Sequence, residues 1–141
     1  MRKIAILSSV LFLILGSITC NAQSTKKSDT NNQTSSKVEV YYFHYTQRCK
    51  TCHAVEDNAK SALEALYPDK VKKGDYSFTG LNLNENSGQE IAKKLEVSGQ
   101  CLLVKCGENK IDLTSQAFMI AFDIEKMKEE IKKAVEKVTK G

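Results

Sequence analysis

Excess charge is almost missing from this chain: 21 lysines and arginines face 17 aspartates and glutamates among 141 residues. Without Arg2 and Lys3, which fall in an expected leader, the balance is 19 to 17, a net charge of +2. So weak a field offers a polyanion little to hold, and no nucleic-acid partner is expected. Flavin and nicotinamide motifs are missing as well, so no cofactor is expected. No internal repeat suggests a solenoid. Proline occurs once, at Pro68, where it forces the preceding residue out of the helical region and ends a helix near Tyr67. Long apolar runs are scarce too. The one candidate, Ile4 to about Ile18, is broken by Ser8, Ser9, Gly16 and Ser17, and is too short and too badly flanked for a stable membrane span.

Arg2 and Lys3, that apolar run and the small residues behind it instead read as an export signal over residues 1–22. Two processing routes fit. Cleavage after Ala22 leaves Gln23 as the first residue, whereas Ser17-Ile18-Thr19-Cys20 resembles a lipoprotein cleavage site, with Cys20 as the lipidated residue. The expected location is therefore outside the cytoplasm, periplasmic or anchored at the cell envelope, with membrane contact only through that lipid. Residues 23–37 are nearly all Ser, Thr, Asn, Gln and Lys and have no large apolar group to bury, the composition of a flexible tether. One domain follows over 38–141, large enough for a single modest core.

Val38 to Tyr45 has apolar residues on both alternating faces, the pattern of a central strand covered on both sides. Val55, Ala59, Ala62, Leu63 and Leu66 then recur at helical spacing. Lys70 to Gly74 reads as a polar turn, and Tyr76 to Leu83 as a second, less regular strand. Ser87-Gly88-Gln89-Glu90 has the form of a capping box opening a helix to about Val97. Gln100 to Lys105 and Lys110 to Leu113 read as a hairpin around Gly107-Glu108-Asn109. From Thr114 the chain is helical, anchored by Phe118, Ile120 and Phe122. Asp123 then caps a last helix whose stripe is Ile124, Met127, Ile131, Ala134 and Val138. The order β-α-β-α-β-β-α, with a right-handed crossover, predicts an α/β fold: a four-stranded mixed sheet of order 2-1-3-4 with helices on both faces.

Cysteine is the residue this chain does have, at positions 20, 49, 52, 101 and 106. Cys101 and Cys106 are five apart on one expected strand, so they point to opposite faces and cannot join without a bend. Cys49 and Cys52 lie in a strand–turn–helix junction, the setting of a redox pair. A helix N-terminus there favours a thiolate, and the flanking Arg48 and Lys50 push Cys49 the same way. Cys49 is thus the expected nucleophile and Cys52 the thiol that closes a disulfide behind it, with a protein thiol or disulfide as partner.

A Cys-x-x-Cys at the end of strand one in this order of elements resembles the thioredoxin fold over about Val38 to Gly141. More narrowly, Tyr42 to Cys52 and Asp112-Leu113-Thr114 with Ala117-Phe118 resemble the ArsF family of small exported bacterial proteins, known as nitrophenyl compound nitroreductase subunits. The resemblance implies the fold and the cysteine pair. It also implies a cis-proline before strand three, facing the pair. Here that position holds Gln100 or Cys101, and ordinary thioredoxin substrate handling is in question. With Cys101 there, a third thiol would face Cys49 and Cys52; otherwise Cys101, like Cys106, is a small buried apolar residue.

Other readings use the same letters. Cys49, Cys52 and Cys101 together would suit a soft metal such as Cu(I) or Zn(II), or a trivalent metalloid. Cys49 to His53 also spells a c-type haem attachment site, with His53 and Met119 as axial ligands; against it stand four strands, one ending at the motif. The pair could equally be a permanent disulfide in an inert domain. His44 reads as a satisfied core histidine more readily than as a proton relay.

Overall fold

The computed structural model describes residues 37–141; the expected leader, Cys20 and residues 23–36 of the expected tether lie outside them. The elements are β1 (Val38–His44), α1 (Lys50–Leu66), α2 (Pro68–Lys73), β2 (Tyr76–Asn82), α3 (Asn86–Leu95), β3 (Cys101–Cys106), β4 (Asn109–Asp112), α4 (Thr114–Met119) and α5 (Ile124–Lys140). They build one mixed sheet in the order β2-β1-β3-β4. β1 runs parallel to β2 and antiparallel to β3, and β3 and β4 form the antiparallel hairpin. This is the expected strand order and the thioredoxin-like arrangement of helices around it.

Alternation along the central strands sorts the two cores. Val38, Val40 and Tyr42 of β1, with Leu102, Val104 and Cys106 of β3, face α1, α4 and α5. Phe43 of β1 and Cys101 and Leu103 of β3 face α3, where Leu81 and Ala92 complete a smaller cluster. Both faces are therefore covered, which is why β1 carries apolar residues on both alternating faces, with Glu39 the one charged residue among them. Met127 and Ile131 of α5 are fully buried on the larger face, each contributing roughly 1.5–3 kcal/mol by leaving water. Asp123 caps α5 as expected, its carboxylate accepting from the Lys126 N–H at 3.1 Å.

Local expectations fail in four places. The polar turn expected at residues 70–74 is the end of α2, a short helix with Pro68 in its first turn and Gly74, at φ 77°, closing it. Proline suits that position because its missing N–H would have had no partner there. The capping box at Ser87 does not form. α3 starts two residues earlier, at Asn86 behind Glu85, whose side chain makes no cap bond. Tertiary contact sets that start: Gly88 lies on the backbone of Asn82, and Gln89 donates to the Leu83 carbonyl at 3.0 Å. Phe122, expected to anchor the chain after β4, is 64% exposed, while Ala117 and Ala121 occupy the buried positions. Tyr45, expected to close the first strand, follows its end at His44 and is exposed.

Candidate active site

Cys49 is the residue before the first turn of α1, and its sulfur accepts a hydrogen bond from the Cys52 N–H at 3.3 Å. A cysteine thus fills the capping position that serine, threonine or aspartate usually takes. Its backbone carbonyl also accepts from the His53 N–H at 3.2 Å. The helix N-terminus directs free N–H groups and the positive end of its dipole at this sulfur. Cys52, one turn into α1, is buried while Cys49 is exposed. The two sulfurs, both free thiols, are 2.6 Å apart.

Burial works against a charge on Cys52, but the Cys49 side chain, the Gln100 side chain and backbone N–H groups at 49 and 52 outweigh it and hold the Cys52 thiol below its ordinary value. Beneath the pair, the Tyr42 hydroxyl donates to the Cys52 carbonyl at 3.0 Å and accepts from the Gln100 side-chain nitrogen at 2.6 Å. Burial pushes Tyr42 up to about 12, with the Gln100 hydrogen bond working against the shift and charge at Cys52 and Glu56 adding to it. That phenol stays protonated in neutral solution and works as a strut.

Arg48 and Lys50 both have partners of their own. The Arg48 guanidinium is paired with Glu56, one turn beyond Cys52, and the Lys50 ammonium lies 5.9 Å from the centre of the Phe122 ring. The hydrogen bonds at the Cys49 sulfur come from Cys52 and not from these cations. The Arg48–Glu56 pair ties the loop before Cys49 to α1. Gly80 of β2 makes room for it, since a Cβ there would run into the Glu56 carboxylate.

Cys101 is not gathered with the pair. It is buried among Phe43, Leu81, Ala92 and Leu103 on the α3 face, whereas the Tyr42 strut under Cys52 belongs to the opposite face. Burial raises the Cys101 thiol above its ordinary value, with the Thr114 side chain working the other way. Residue 101 therefore sits on β3 as a small apolar core group, and Gln100 is the residue of that bend that reaches the site. Cys106 lies on the other face, as the spacing required. No cis peptide bond occurs among the described residues, and no group of three His, Cys, Asp or Glu side chains among them is disposed to hold a metal.

His53 is exposed on α1 and Met119 is 78% exposed at the end of α4, so Met119 is not the core residue that its neighbours Phe118 and Phe122 suggest. His44 is half-buried, with its Nδ1 donating to the Tyr45 carbonyl at 3.0 Å and its ring tilted against Tyr42. Sequence reasoning missed Tyr42 and Glu56 as parts of the site, and offered Gln100 only as an alternative to Cys101 at the position facing the pair. Tyr42 reads as one more sheet aromatic. Glu56 follows Cys52 by one helical turn and was findable by that spacing. Gln100 lies 48 residues from Cys52 in sequence, and only the pairing of Tyr42 with Leu102 across β1 and β3 brings it near.

No protein family matches this chain, and no curated protein matches it.

Proposed function

We propose that the protein is a thioredoxin-like thiol–disulfide oxidoreductase that exchanges disulfides with a protein partner through Cys49 and Cys52. One observation carries this: two free thiols within bonding reach at a helix N-terminus, the first exposed and the second buried behind it. An attacking thiol must be reached by a partner, and a resolving thiol must reach only its neighbour. The export expected from residues 1–22 would place the pair where disulfides form and persist.

In the reducing direction the Cys49 thiolate attacks one sulfur of the partner's disulfide. A Cys49–partner disulfide forms, and the partner's other sulfur leaves as a thiolate. Cys52, deprotonated, then attacks the Cys49 sulfur; the Cys49–Cys52 disulfide closes and the partner's second thiolate is released. Two electrons pass to the partner, and the two protons of the pair end on its thiols or in solvent. The reverse sequence oxidises a partner dithiol.

The test is a trapping experiment on the full chain. Cys52→Ser is expected to accumulate a mixed disulfide with a small aromatic disulfide or a disulfide-bearing peptide, mapped to Cys49 by peptide mass, while Cys49→Ser turns over neither. Full turnover by Cys49→Ser would sink the proposal.

A further inference from the structure

The charges beside the cysteine pair are arranged to cancel. Arg48 comes directly before the cap of α1 and Glu56 lies on the second turn of that helix, with Cys52 four residues from either. The guanidinium donates to the Glu56 carboxylate, so the ion pair brackets the turn that carries Cys52. Both side chains are mostly withdrawn from water, 19% and 21% exposed, and salt screens such charges less than it screens those at the surface. Lys50 is different: it is exposed, and its ammonium rests against Phe122. The fold makes room for the carboxylate. Gly80 of β2 leaves open the space in which it lies, and the His44 ring stands beside that space, its Nε2 3.9 Å from where a Cβ of residue 80 would be.

We propose that the Arg48–Glu56 ion pair sets the redox poise of Cys49 and Cys52, with Glu56 as the positioning residue that holds and neutralises the partly buried cation beside them. This rests on the exchange reaction proposed above. The dithiol form of the pair can carry a thiolate and the disulfide form cannot, so a positive charge beside the sulfurs favours the dithiol and makes the protein a stronger oxidant. A negative charge does the opposite. Arg48 alone would therefore tilt the pair towards oxidising its partner, and Glu56 alone towards reducing it. Held together, they leave the balance to the helix N-terminus and to the hydrogen bonds of the sulfurs themselves.

The experiment is a redox titration of the full chain at neutral pH in mixtures of reduced and oxidised glutathione, read by alkylation and peptide mass. Each disulfide closed between Cys49 and Cys52 converts one glutathione disulfide into two glutathione thiols, so the mixture at half-oxidation gives the equilibrium constant. Glu56→Gln keeps the length of the side chain and an oxygen to accept from Arg48, and removes only the charge. It is expected to shift the equilibrium towards the dithiol by roughly three- to tenfold, the size of one unit charge acting over several ångströms at an intermediate dielectric. Arg48→Met keeps the apolar stem and leaves the carboxylate unbalanced, so it should shift the equilibrium towards the disulfide by a similar factor. With both substitutions the charges balance again although the contact between the loop and α1 is gone, and the equilibrium should return to within about twofold of wild type. Opposite signs in the single variants and recovery in the double are what a charge effect requires. Shifts of the same sign, or a double variant that stays with Arg48→Met, would mark the ion pair as a tether only and overturn the proposal while the exchange reaction stands. An unchanged equilibrium in Glu56→Gln does the same, and that variant decides alone if Arg48→Met does not fold. A wild-type protein that closes no Cys49–Cys52 disulfide at any glutathione ratio removes the exchange reaction itself.

Discussion

Tyr42 shows how much one hydroxyl can settle. It is fully buried, and its two hydrogen bonds join the first turn of α1 to the bend before β3. Tyr42→Phe keeps the ring and removes both bonds, so a loss of about 1 kcal/mol in unfolding free energy is expected in denaturant titrations. Its pH dependence has a definite sign. A tyrosine in the unfolded chain ionises near 10.0, while burial pushes Tyr42 up to about 12. A value raised by folding contributes stability that is fully present below pH 10 and is lost as the pH climbs to about 12. Wild type should therefore lose stability across that window more steeply than Tyr42→Phe, when each is measured against its own value at neutral pH; equal slopes would refute the assignment. Tyr41, also held at about 12, and Tyr67, raised by burial, supply slope that both share. At this scale Cys49 and Cys52 were legible, because a two-residue gap between strand and helix carries its own chemistry. Tyr42 was not, because an aromatic in a strand has no chemistry until something is placed beside it, and Gln100 stood only as an alternative to Cys101 at the position facing the pair.

Helices in this chain begin where packing puts them. The serine-led capping signal at Ser87 is a good local sequence, yet α3 starts before it because Gly88 rests directly on the backbone of Asn82 at the end of β2. A methyl group there would have to move main chain and not the tip of a flexible side chain. Gly88→Ala is expected to destabilise by roughly 1–3 kcal/mol despite the better helix propensity of alanine, read as a lower thermal midpoint. A gain in stability would show that helix propensity decides this site. For α5, Ile131 is wholly enclosed, so Ile131→Ala should cost roughly 2–5 kcal/mol and Ile131→Val only about 0.5–1.5 kcal/mol in the same assay. The stripe of α5 was readable because its period is long and regular. The single turn of α2 was not, because six residues with three lysines look the same whether they turn or coil.

On the scale of the whole molecule, the strand order followed from few rules: a right-handed crossover sets β1 beside β2, and a short hairpin sets β4 beside β3. The placement of Cys101 needed more, since a strand residue beside a bend can face either way until its register is known; the pairing of Phe43 with Cys101 decides it. The described residues, 37–141, belong to one compact unit, so a chain starting at Lys37 should unfold in a single cooperative transition with its own core intact. A broad or multiphasic melt would contradict this. Within that unit α1 packs along α5 and carries Cys49 as the cap of its first turn. The sulfur that meets the outside world thus also holds an amide proton, that of Cys52. Once Cys49 is drawn into a bond with another sulfur, its grip on that proton weakens, and the proton should trade faster with deuterated water. A nitrogen that takes no part in the chemistry then becomes its clock, and the state of the pair can be timed without touching either thiol.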